Sequence, residues 1–168
     1  MVRYQHGKST EDHRTPCDFY QGMYDWLGPF DFDAAASIDN HKCVNYRSKE
    51  NSALIGDWRG ATKAWVNPPY NGWANWVAKA LEQIEYGYIE SATFLIPPRT
   101  DTQAFHHLIL PNASLIGFVI GRLDFFGPHQ VEEGNSPDPS MIVHFDNKKR
   151  KKIEWCSVDL QGNRVTSH

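Results

Sequence analysis

Apolar positions along this chain recur with two periods, and the switches between them mark the elements. Phe19, Met23, Trp26 and Leu27 fall at helical spacing behind Thr15-Pro16. Threonine suits a helix cap and proline the first helical position, so a short amphipathic helix is predicted, stopped by Gly28-Pro29. Phe30 and Phe32 alternate with acids, the pattern of a strand entering a core and ending at Asp33. Short apolar runs at 43–46 and 54–58 predict a second and a third strand, with a turn at 51–53 between them. Another strand is predicted through Trp65 and Val66. A stripe of Trp73, Trp76, Val77, Ala80, Leu81 and Ile84 then predicts three helical turns closed by Gly87.

The second half repeats the alternation. Residues 92–96 read as a buried strand ended by Pro97-Pro98. A polar loop at 99–102 follows, with Thr100 or Asp101 as helix cap, and Ala104, Phe105, Leu108 and Ile109 begin another helix. Residues 115–120 predict a strand. Residues 121–126 and 141–145 are expected to pair as a terminal antiparallel hairpin around the long polar loop 127–140. Residues 153–158 and Val165 suggest a last hairpin about Gly162-Asn163. Together these predict an α/β class: a doubly wound, mostly parallel sheet with helices on both faces and a terminal antiparallel hairpin. In such folds the loops at the carboxyl ends of strands carry the chemistry. The loops after Asp33, Asp57, Asn67 and Ile96 qualify.

Composition narrows this picture. At 168 residues the chain suits one domain over 15–168, preceded by a flexible arm over 1–14. Six Trp, seven Tyr and nine Phe supply ample core. No apolar run reaches membrane-spanning length and no signal peptide opens the chain, so no membrane partner is expected. Cys17, Cys43 and Cys156 read as reduced thiols of a cytoplasmic protein. His13 with Cys17, or His41 with Cys43, matches no common zinc spacing, and no metal is expected. A net charge of −3 argues against nonspecific coating of nucleic acid, since such binders carry a basic footprint. A footprint could exist only locally, at the basic run 148–152, and such a run is more often a solvated turn.

The stretch with the most definite chemistry is Asn67-Pro68-Pro69-Tyr70. Proline at 68 and at 69 forces each preceding residue out of the helical region, and neither ring can serve a sheet ladder. The strand therefore ends in a stiff, extended corner presenting an amide, the Pro68 carbonyl and an aromatic ring. Two acceptor oxygens fit an amino group with two hydrogens, and the ring fits the face of a base. A rigid turn is the other reading of the tetrapeptide. Small residues at Ala34, Ala35 and Ala36 after Asp33 would let a ligand approach the backbone. An alanine helix start capped by Asp33 is the alternative. Asp57 could accept a hydrogen bond from an adenine amine, or be a surface turn residue.

Taken in order, the sequence resembles the phage-type DNA N-6-adenine methyltransferase family over roughly residues 15–145. The resemblance rests on Thr15-Pro16, Phe32-Asp33-Ala34-Ala35, Gly56-Asp57-Trp58, Trp65 through Tyr70, Pro98-Arg99-Thr100-Asp101-Thr102, Gly121-Arg122-Leu123, and Asn135-Ser136-Pro137 with Pro139-Ser140-Met141. It implies a Rossmann-like fold and transfer of a methyl group from S-adenosyl-L-methionine to adenine in double-stranded DNA. Asn67, Pro68, Pro69 and Tyr70 would be catalytic, and the target base would be flipped out to reach them. Thr15, Pro16, Asp33, Ala34, Ala35, Ala36 and Asp57 would lie around the cofactor. Arg99, Arg122, His129, Asn135, Lys149 and Arg150 are the candidates for DNA contact. Cytosine N-4, RNA or a protein glutamine as substrate, or a non-catalytic nucleic-acid-binding module, remain as rivals.

Overall fold

The computed structural model describes residues 14–125, 138–148 and 152–167. The predicted arm therefore lies outside the described residues except for Arg14, whose guanidinium pairs with Asp39 at 3.2 Å. Helix α1 spans Cys17–Leu27 and is followed by a two-residue strand β1, Phe32–Asp33. Strand β2 is Lys63–Val66, and α2 is Trp73–Glu85. Strand β3, Ser91–Ile96, leads to a π-helical turn, Phe105–Ile109, that continues into α3, Leu110–Asn112. Strands β4, Leu115–Val119, β5, Met141–Asp146, β6, Glu154–Val158, and β7, Arg164–Ser167, complete the order.

Among the described residues these strands make one seven-stranded sheet, ordered β1-β2-β3-β5-β4-β6-β7. β1, β2, β3, β4 and β6 share one direction, while β5 and β7 oppose them. Period-two alternation sends Ala64 and Val66 to one face of the sheet and Trp65 to the other. The first face packs against Trp73, Val77 and Ala80 of α2 and Phe105 and Ile109 of the π turn. The second packs against Phe19 and Met23 of α1. The expected α/β architecture, mostly parallel with helices on both faces, is thus the one formed, and the antiparallel pair that closes it is β6–β7.

Three expectations need correction. The runs at 43–46 and 54–58 make no strand. Only an isolated bridge joins Asp33 to Tyr46, and although Cys43 and Trp58 are buried, Val44 is 98% and Ile55 81% exposed, so neither run buries an alternating face. Residues 121–125 form no strand either. β5 instead pairs antiparallel with both β3 and β4, inserted between them. β5 meets hydrophobic neighbours on both flanks and both faces, which no single flanking segment could supply. Thirdly, α1 begins at Cys17 with no side-chain cap, because the cap position falls on Pro16, which has no side-chain acceptor, and Thr15 lies one residue before it.

α1 sits unusually close to the turn between β6 and β7. A Cβ at Gly22 would lie 2.1 Å from the Gln161 carbonyl oxygen, so the contact is backbone on backbone and only glycine permits it. This contact fixes where the N-terminus of α1, and with it Thr15, reaches the sheet.

Candidate active site

The shared direction of β1, β2, β3 and β4 brings their carboxyl ends to one edge, and most of the sequence-predicted residues follow those ends. Two corners dominate, one after β1 and one after β2.

The corner after β2 is Asn67-Pro68-Pro69-Tyr70. Pro68 is buried, while Asn67, Pro69 and Tyr70 are half-buried. The Asn67 amide nitrogen, Nδ2, donates to Thr15 Oγ1 at 3.0 Å, which turns the amide oxygen away from Thr15. The Tyr70 ring meets Phe125 edge-on, with centroids 6.3 Å apart and planes at 90°. That contact fixes one edge of the ring and leaves its plane set by the wall of residues 123–125. Gly72, at φ +86°, then reverses the chain into α2.

The corner after β1 is held by different means. Ala34 N–H donates to the Trp65 carbonyl at 3.1 Å, Ala36 N–H to Arg47 at 2.9 Å, and Arg47 N–H to Asp33 at 3.0 Å. The turn is thus wedged between β2 and the segment 45–47, and the alanines form no helix. The Asp33 side chain is 4% exposed. Burial pushes its carboxyl up to about 6, opposed by the Lys42 and Ala35 amides that donate to it and by the charges of Lys42 and His41. The Lys42 amide bond is 2.8 Å long.

Between the corners lies a cavity of about 310 Å³. Ala35, Ala36 and Pro69 line it together with Ser37, Glu50 and Trp76. The predicted cofactor residues therefore separate. Ala35 and Ala36 face the cavity. Asp33 and Ala34 are buried behind it. Asp57 stands in an adjoining open hollow that shares Arg47, Glu50 and Ser52 with the cavity, and its carboxylate pairs with Arg59 at 3.3 Å. It follows no strand, so its placement differs from the carboxyl-end position expected. Pro16 lines another hollow with Arg122, Asp124 and Leu160. Thr15 contacts Asn67.

Of the predicted DNA contacts, Arg99 and Arg122 are exposed and follow β3 and β4 at this edge. The cap of the helix beyond Arg99 is Thr102, whose Oγ1 accepts from Phe105 N–H at 3.2 Å, rather than Thr100 or Asp101. His129, Asn135, Lys149 and Arg150 lie outside the described residues. Three residues escaped the sequence reading. Trp76, on the apolar stripe of α2, packs against the core and also lines the cavity. Phe125 lay in a presumed strand. Lys42 carried no signal, since its Nζ reaches the Thr15 carbonyl, at 2.9 Å, only through the fold.

The arrangement offers an amide oxygen, a proline carbonyl and an aromatic face beside a cavity floored by small side chains. Trp76 and Pro69 give the cavity apolar walls, Ala35 and Ala36 admit close approach to the backbone, and Ser37, Asp39, Arg47, Lys49 and Glu50 supply polar and charged groups of both signs.

Comparison with known proteins bears on this site. A family model described as DNA N-6-adenine-methyltransferase (Dam) matches residues 5–164. A DNA N-6-adenine-methyltransferase of Escherichia phage T1 is 34% identical over 87 residues, 52% of this chain and 34% of that protein. One of Haemophilus phage HP1 is 27% identical over 120 residues, 71% of this chain and 68% of that protein. The chain thus spans about a third of the length of the first relative and about two thirds of the second. A solved structure of the Type IIL restriction-modification enzyme MmeI in complex with DNA aligns with TM-score 0.48 at 12% identity, over 76% of this chain and 21% of that one.

Proposed function

The chain belongs to the DNA N-6-adenine-methyltransferase (Dam) family, and we propose that it methylates the exocyclic amine of adenine in double-stranded DNA with S-adenosyl-L-methionine as donor. One observation carries the reading: Pro69 belongs both to the Asn67-to-Tyr70 corner and to the wall of the 310 Å³ cavity. An acceptor pair for an amine and a space for a nucleoside cofactor therefore share a boundary.

Adenine in a duplex hides its amine, so the base leaves the stack at a cost of about a few kcal/mol. Tyr70 stacks on the extruded ring, and such stacking contributes roughly 1–3 kcal/mol per base. The Asn67 amide oxygen and the Pro68 carbonyl accept the two amine hydrogens. Those bonds draw the nitrogen towards tetrahedral geometry and localise its lone pair. S-adenosyl-L-methionine, when bound, supplies an electrophilic methyl group on sulfur. Ala35, Ala36, Pro69 and Trp76 would hold it, with Asp57 in the adjoining hollow available to its adenine amine. Fixing the amine at reacting distance supplies much of the rate. Arg99 and Arg122, exposed at the same edge, would meet phosphates, and the work would be done in the cytoplasm, that of the host cell if the chain is viral.

The test uses purified protein, tritium-labelled S-adenosyl-L-methionine and unmethylated duplex DNA, with nucleoside digestion and mass spectrometry. RNA and a cell protein extract run in parallel. Label in N-6-methyladenine of DNA is the expected result. Label in N-4-methylcytosine, RNA or protein would replace the substrate, and none anywhere would overturn the reading.

A further inference from the structure

We propose that Thr15 is a positioning residue for Asn67, not a ligand of the cofactor, and that Lys42 holds Thr15 in that role. The proposal rests on the functional reading above only for which amine Asn67 serves. Its physical content is the orientation of one amide.

An asparagine amide can rotate half a turn and exchange its oxygen for its nitrogen, and its catalytic use depends on which atom faces the substrate. Pro68 and Pro69 fix the backbone but not the rotation of the Asn67 amide about its own side chain. Thr15, 52 residues away in sequence, engages one end of that amide: its Oγ1 accepts the Nδ2 hydrogen at 3.0 Å. Thr15 is 4% exposed, so water is a poor substitute for its hydroxyl. Thr15 stands one residue before the cap position of α1, which Pro16 occupies, and its hydroxyl meets the strand corner.

Thr15 is itself tethered. Lys42 Nζ donates to its carbonyl at 2.9 Å, and the same ammonium lies 5.6 Å from the centroid of the Tyr20 ring. The Lys42 amide donates to the buried Asp33 carboxylate at 2.8 Å. A continuous chain of contacts therefore runs from Asp33, behind the cavity, through Lys42 and Thr15 to the Asn67 amide. Among the described residues Thr15 does not line the cavity, whereas Ala35 and Ala36 do.

The experiment compares Thr15→Val, Thr15→Ser and Lys42→Met in the full chain. Thr15→Val keeps the shape and removes the acceptor. It should lower kcat by about 10²-fold, the size of effect that a misplaced reacting group produces, with the dissociation constant for S-adenosylhomocysteine unchanged. Thr15→Ser keeps the hydroxyl and should recover most of the rate. Lys42→Met should fall between the two. A readout independent of activity accompanies them: the Asn67 side-chain amide resonance, identified by its loss in Asn67→Asp. It should shift and exchange faster in Thr15→Val and stay in place in Thr15→Ser. Weakened S-adenosylhomocysteine binding with unchanged kcat would make Thr15 a cofactor ligand. An Asn67 resonance indifferent to Thr15→Val, or equal behaviour of Thr15→Val and Thr15→Ser, would likewise overturn the proposal. A Lys42→Met variant at wild-type rate would remove Lys42 from it. If wild-type protein left DNA unmethylated while the amide still answered to Thr15→Val, the substrate assignment would fail and the positioning would stand.

Discussion

Two neighbouring corners leave the same edge of the sheet, yet they are made rigid by opposite means. The corner after β2 draws its stiffness from covalent geometry, since two successive prolines fix the backbone wherever they occur. The corner after β1 has three alanines and no intrinsic stiffness. It is held by backbone bonds to Trp65 and Arg47 and by the Asp33 carboxylate gathering the amides of Lys42 and Ala35. One corner is stiff by composition and the other by tertiary contact. The difference predicts that perturbing partners should loosen the corner after β1 and spare the backbone of the corner after β2.

The largest effect should come from removing the acceptor. Asn67→Ala should reduce methyl transfer by about 10³-fold, comparable to loss of one preorganised hydrogen-bonding group in other active sites. S-adenosylhomocysteine affinity, read by calorimetry, should be nearly unchanged. A parallel loss of affinity would show that the two corners are not separable.

Next comes the docking of α1. Gly22→Ala drives a methyl group against the Gln161 carbonyl, where no flexible side chain can yield. Overpacking of this kind costs typically about 1–3 kcal/mol, measurable by urea denaturation. Because α1 carries Thr15 at its start, activity should fall as well. Full activity in a destabilised Gly22→Ala protein would mean that the Asn67 corner stands without help from α1.

The pH dependence sharpens the comparison. Holding the buried Asp33 ionised at neutral pH costs about 3 kcal/mol relative to an ordinary aspartate. The native state takes up its proton more readily than the unfolded chain. This group's contribution to stability therefore falls as pH rises from its ordinary value to about 6, and is flat beyond. Function should run the other way. Protonation below about 6 removes an acceptor from the Lys42 and Ala35 amides, so S-adenosylhomocysteine binding should weaken on acidification without loss of fold. Asp33→Asn should abolish that step, and His41→Gln, which alters the neighbouring imidazole, should preserve it. A binding curve flat from pH 5 to 8 in the wild type would remove Asp33 from the support of the cavity.

The smallest effect belongs to the stiff corner itself. Pro69→Ala restores freedom to the unfolded chain and should cost only about 0.4–1 kcal/mol, seen as a small drop in thermal midpoint. A larger loss would show that Pro69 also matters as a packing surface beside Trp76.

How far each part could be read from sequence follows the same division. The helix after Tyr70 was legible because Val77 and Ala80 repeat at helical spacing and bury together. Strand β3 was legible because six buried residues in a row end at a proline pair. The runs around Val44 and Ile55 looked like strands because they are short and apolar, a pattern that carries no information about burial. The insertion of β5 between β3 and β4 was invisible, because pairing is a relation between distant segments and each segment reads the same in any order.

The sequence by itself determined the stiff corner at Asn67 to Tyr70, the two amphipathic helices and the alternation that makes an α/β sheet, since each depends on the local geometry of a few adjacent residues. Only the tertiary structure decided that Ala35 and Ala36 share a cavity with Pro69, that the Thr15 hydroxyl meets the Asn67 amide, and that Lys42 joins Thr15 to Asp33. A hydroxyl, an ammonium or an amide can satisfy several partners equally well, and which one it meets is fixed only when packing brings remote parts of the chain within hydrogen-bond reach.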